Sequence, residues 1–156
     1  MSDFHADILR NLHNNVAVND GKCDCGSSGA ELQGHTSSRP LVSVRHLDWD
    51  ALEPDAATYD VIIGTDLICC EANAVGVTRA LQVLLNRPNG YALILNPSEH
   101  SRWAIGAFKE ALNAPTSGLR ATITGIPKSS ALLEGVHDKN DVEYELYYIV
   151  RKSSCS

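Results

Sequence analysis

A chain of 156 residues, 44% apolar and 21% charged, has the composition of one ordinary globular domain and enough apolar material for a single core. With 13 basic against 19 acidic residues the formal charge is −6, and no basic cluster stands in the sequence, which argues against a nucleic-acid backbone as the main partner. No apolar run reaches bilayer-spanning length and the start, Met1 to His5, lacks the basic-then-apolar layout of a secretion signal. The expectation is therefore an intracellular, cytoplasmic protein, with the nucleus as the alternative compartment, no membrane partner and reduced thiols.

Taken in chain order, residues 6 to 18 set Ile8, Leu9, Leu12 and Val16 at three- and four-residue spacings among polar residues, which predicts an amphipathic helix with Asp3 just before it. From 19 to 40 the composition turns to Gly, Ser, Asp and Cys, the mark of a flexible inserted loop. Leu41 to Leu47 is a β-branched run that reads as a strand ending in Asp48-Trp49. Tyr59 to Asp66 has the continuous apolar centre of a strand buried on both faces. Helical spacing follows from Glu71 to Asn86, with Val75 and Arg79 outward and Leu81, Leu84 and Leu85 inward. Pro88-Asn89-Gly90 turns the chain into a third strand, Tyr91 to Asn96.

A helix over Ser101 to Leu112 stops before Pro115, and Arg120 to Ile126 and Tyr144 to Val150 read as strands separated by a polar loop around 135 to 141. Strands alternating with helices predict an α/β fold with a mostly parallel sheet and a closing antiparallel pair. The domain is expected to run from 1 to 152, leaving 153 to 156 as a tail.

Cys23 and Cys25, with His35, lack the paired spacing of a zinc site and read as loop residues, so no metal site is expected. Cys69 and Cys70 lie in an apolar stretch and read as small core residues. The six histidines stand near no candidate nucleophile and read as surface or capping groups.

In an open α/β sheet, ligands gather beyond the carboxyl ends of the strands, so the polar residues closing each apolar run are the informative ones. Those are Asp3, Asp48-Trp49, Thr65-Asp66 and Asn96-Pro97. Three segments stand in order: Ser2-Asp3 followed by Leu9 to Asn19, then Leu47-Asp48-Trp49, then Tyr59 to Cys69. Together with the leucine-rich helix and the Pro88-Asn89-Gly90 turn, they resemble the seven-strand, S-adenosylmethionine-dependent protein-lysine methyltransferases grouped as methyltransferase family 16.

The resemblance implies a Rossmann-like fold, S-adenosylmethionine as cofactor and a protein lysine as methyl acceptor. It carries Asp3 to the carboxylate that accepts from the ribose hydroxyls, although Asp3 also suits a helix cap. Asp48 and Trp49 fall to the adenine side, where an indole offers stacking area; a tryptophan packed beneath the loop is the other reading. Thr65 matches a small residue lining the cofactor pocket. Asp66 opens the acidic-x-x-aromatic motif facing the substrate amine, and is the catalytic candidate; a strand-end or helix-cap role is the alternative.

This chain departs from the pattern at the motif's fourth position, where Cys69 replaces the aromatic that would enclose a lysine side chain. The glycine-rich turn that cradles the cofactor's methionine end, and the central first strand before it, have no counterpart ahead of Asp3. The expectation is an amino-terminally truncated methyltransferase, with a non-catalytic protein-interaction module as the competing reading. The Asn-Pro-Pro-Tyr signature of base methylation is absent, since Asn96-Pro97 follows the fifth strand of the family's order.

Overall fold

A computed structural model describes residues 2–3, 6–19, 42–52, 56–135 and 141–152, and the chain divides into two compact units, Met1–Asp48 and Trp49–Ser156. The inserted loop after Asn19, with Cys23, Cys25 and His35, lies outside the described residues, as does the tail at 153 to 156.

In the first unit, β1 (Ser2–Asp3) pairs in parallel with β2 (Arg45–His46), with Asp3 opposite His46. Between them in sequence runs α1 (Ala6–Asn19), whose Leu9, Leu12 and Val16 are half-buried along one stripe. Ile8 belongs to the same apolar spacing but is exposed. Of the strand expected over Leu41 to Leu47, Arg45–His46 pairs with Ser2–Asp3, while 42–44 lie outside any strand.

The second unit is a four-stranded sheet of β3 (Val61–Thr65), β4 (Tyr91–Pro97), β5 (Leu119–Ile126) and β6 (Tyr144–Arg151), in the order β3-β4-β6-β5. β3 and β4 are parallel and β6 runs antiparallel to both β4 and β5. Three of the four strands therefore share one direction, and the closing antiparallel pair foreseen from the sequence is β5 with β6.

One face of this sheet is covered by α2 (Glu71–Leu84) and α3 (Ala104–Asn113). Strand alternation sends Ala92, Ile94 and Asn96 of β4 and Tyr147 and Ile149 of β6 to that face. There they meet Ala74, Val77 and Leu81 of α2 and Ile105, Phe108 and Leu112 of α3 in one cluster. The Phe108 and Tyr147 rings lie 5.4 Å apart, within the range of favourable tilted ring pairs.

α2 begins after an extended Cys70; its Asn73 side chain accepts from the Cys69 N–H at 3.2 Å, and Glu71 complements the helix dipole. The helix stops two residues before the expected Asn86. Leu85 turns extended and bridges to Tyr59, whose N–H donates to Leu84 O at 2.7 Å. α3 starts later than Ser101, because the Ser101 and Arg102 N–H groups both close a turn on Ser98 O.

Two expectations are corrected. β3 is not buried on both faces: it is the sheet's edge strand, and Ile63 is 73% exposed. No strand among the described residues pairs with its outer side, so only Ile62 and Gly64, on the helix-covered face, are half-buried. Cys69 and Cys70 are exposed rather than core, because the chain has already left the sheet and Ile68 takes the buried place.

Candidate active site at the carboxyl end of the edge strand

Thr65 ends β3, and Asp66 continues the ladder by one bond, its N–H donating to Leu95 O at 2.8 Å. Asp66 then takes φ = 52°, the left-handed region that costs most side chains free energy and that aspartate tolerates better than most. This turn swings the carboxylate out of the sheet, where the side chain is 59% exposed. Arg102 reaches it from the turn after β4: Nη1 donates to Asp66 Oδ1 at 2.5 Å and also lies 3.3 Å from Ile68 O and 3.4 Å from Cys69 Sγ. One guanidinium nitrogen thus ties three parts of the post-strand turn, and among the described residues Oδ2 has no hydrogen-bond partner.

Beneath this turn stands Asn96, fully buried at the carboxyl end of β4. Its Oδ1 accepts from the Leu67 N–H at 3.1 Å, fixing the chain one residue beyond Asp66. Asn96 Nδ2 and the Ser98 Oγ are buried without a partner among the described residues. At the same end of the sheet, Glu145 sits opposite Asn96 in register, takes Lys109 Nζ at 3.1 Å and accepts from the Tyr147 hydroxyl at 2.6 Å. Burial, reinforced by the bond to Glu145 and by that carboxylate's charge, pushes the Tyr147 hydroxyl well above the usual tyrosine range. Tyr147 therefore serves as a neutral donor, not as a base.

The other site residues expected from the sequence fall in different places. Asp3 closes β1 and Asp48 follows β2 by two residues, so both stand at the carboxyl ends of one parallel pair. Trp49 opens the second unit, half-buried, with its indole against Gly76 of α2 and the core cluster. Only the hydrogen at Gly76 leaves room there: a Cβ would stand 2.8 Å from the indole nitrogen. This packing on α2 occupies one edge of the Trp49 ring. Thr65 and Asp66 are consecutive at the carboxyl end of β3.

Arg102 was not among the residues singled out from the sequence. Thirty-six positions separate it from Asp66, and no local pattern marks that pairing. Asn96 carried a signal, as the polar residue closing an apolar strand.

A sheet whose parallel strands are backed by helices, with a reversed strand inserted next to its far edge and polar residues at the carboxyl ends, is a Rossmann-like α/β fold. Comparison with solved structures agrees: a proposed methyltransferase from Thermoplasma acidophilum superposes with a TM-score of 0.51 at 13% identity, over 99% of this chain and 56% of that one. The chain thus spans little more than half the length of that protein. No protein-family model and no curated protein matches the sequence. The likeness concerns the fold, and the lysine-methyltransferase resemblance stands on the residues that carry it.

Proposed function

We propose that this chain is part of an S-adenosylmethionine-dependent methyltransferase acting on a protein lysine, in the cytoplasm or nucleus, with Asp66 as the residue that orients the acceptor amine. The observation that carries the reading is Asp66 itself: a non-glycine residue in a left-handed conformation, anchored on one carboxylate oxygen and open on the other, at a strand's carboxyl end. Strain held by a specific ion pair at that place is what a positioning carboxylate calls for.

The chemistry asks for alignment more than covalent help. When bound, the cofactor supplies a sulfonium methyl group that passes in line to the nitrogen, the carbon–sulfur bond breaking with its electron pair left on sulfur. Asp66 Oδ2 accepts a hydrogen bond from the amine and aims its lone pair, while Arg102 and Asn96 hold the turn that carries Asp66 in place. The amine must arrive unprotonated, which apolar surroundings favour by lowering its pKa. Thr65, Asp48, Trp49 and Asp3 are the candidates for the adenosine side. The donor chemistry fits that half of the cofactor, whereas the described residues hold no glycine-rich turn after a strand for its methionine end.

Calorimetric titration with S-adenosylmethionine, and with its demethylated product, tests the reading. Saturable heat that falls at least about tenfold in affinity in Asp3→Ala and Trp49→Ala is expected, the loss of roughly one good contact. A folded chain that gives no heat overturns it. A second reading, a non-catalytic protein-interaction module, is favoured by the exposed apolar edge at Val61 and Ile63. It predicts partner binding that survives Asp66→Ala.

A further inference from the structure

At the opposite end of the sheet from Asp66, the fold gathers cations that the sequence keeps apart. Arg87 precedes β4, Arg151 ends β6 and Lys152 follows it, and together with Gln82, Pro88, Thr116, Ser117 and Gly118 they line one open depression of about 780 Å³. No acidic side chain is among these lining residues, in a chain whose formal charge is −6. The distance to Asp66 is roughly 20 Å along the strands, so this depression is no part of the site above.

Arg151 is fixed in place. Its Nε donates to Leu85 O at 2.9 Å and its Nη2 to Gln82 O, where α2 has no basic residue of its own in the last turn. Two of the five guanidinium N–H donors are spent in this way, and the others remain for a ligand. Burial, and then repulsion from Arg87, make the Arg151 proton easier to lose than usual. Gly118 completes the wall in a left-handed turn at φ = 61°, with nothing within 4 Å of where a Cβ would stand, and its carbonyl holds the Lys152 N–H at 2.8 Å. The Thr116 side chain is exposed beside it.

We propose that this depression is an anion site for a phosphate group, free or carried on a small molecule, with Arg151 as its fixed guanidinium and Arg87 and Lys152 as the mobile arms that close on it. A doubly charged, several-oxygen ligand matches a guanidinium held by carbonyls and two cations free to approach, better than a single carboxylate does. A structural role for Arg151 as the cap of α2 accounts for its two carbonyl bonds but not for Arg87 and Lys152, neither of which caps the helix.

Amide chemical shifts of the full chain, followed during titration with inorganic phosphate and separately with glycerol phosphate at constant ionic strength, test this. Saturable shifts at Thr116 to Gly118 and at Arg87 and Lys152 are expected, unaffected by exchanging the background chloride for acetate. The double variant Arg87→Gln with Lys152→Gln, which leaves Arg151 and its carbonyls intact, should weaken binding by about tenfold or more, the effect of losing charge-assisted bonds. Tighter binding of glycerol phosphate marks a phosphate monoester as the ligand, and equal binding marks the free ion. Shifts that never saturate, or that persist unchanged in the double variant, overturn the site.

Discussion

Asp66 illustrates how one residue can hold both a cost and a use. A left-handed aspartate lies above the glycine alternative by about 1 kcal/mol, so Asp66→Gly is expected to leave the chain as stable or more stable, by up to about 1 kcal/mol in urea unfolding, while removing the group that would orient an amine. A clear loss of stability would show that the Arg102 bond outweighs the strain. Tyr147 gives a second test at this scale. Its hydroxyl ionises less readily in the folded chain than in the unfolded one, so above the ordinary tyrosine value of about 10 the unfolded state releases a proton that the folded state keeps. The stability that Tyr147 contributes is complete below that value and is lost as pH rises past it. Urea midpoints measured from about pH 9 to about pH 11.5 should fall with pH, and Tyr147→Phe should flatten that slope; an unchanged slope would place the alkaline sensitivity elsewhere.

Among the elements, α2 is the piece on which packing and site converge. The inward places of Leu81 and Leu84 were visible in the sequence spacing, but those of Ala74 and Val77, and the reason for a glycine at 76, were not. Gly76 admits the edge of Trp49, which lies 27 positions earlier, and a methyl there must displace the indole. Gly76→Ala is expected to cost about 1–3 kcal/mol despite the better helix propensity of alanine, the usual penalty of overpacking, read as a lowered Tm. A raised Tm would mean that the indole moves aside freely. α2 also shows how a helix borrows its ending: the cation its last turn lacks arrives from β6 as Arg151.

For the whole molecule, the open side of the sheet governs behaviour. Val61 and Ile63 of β3 are exposed apolar side chains on an edge that no described strand pairs, the combination that invites pairing between chains. Ile63→Lys is accordingly expected to reduce self-association of the chain in sedimentation experiments without lowering its Tm, since the side chain it replaces is 73% exposed. Equal self-association in the variant would rule out β3 as the adhesive edge.

The sequence by itself determined the kind and order of nearly every element in the second unit, and it put Thr65 and Asp66 at a strand end, because periodicity and turn chemistry are local properties of the chain. It misjudged how covered β3 is, and it read Cys69 and Cys70 as core. An apolar strand reads the same whether or not a neighbour lies beside it, and burial depends on what the rest of the chain brings there. Only the tertiary structure set Arg102 on Asp66, Asn96 under the turn, Trp49 on Gly76, and Arg87 beside Arg151 and Lys152. Those pairings join residues 27 or more positions apart, and nothing in either partner's neighbourhood along the chain records the other.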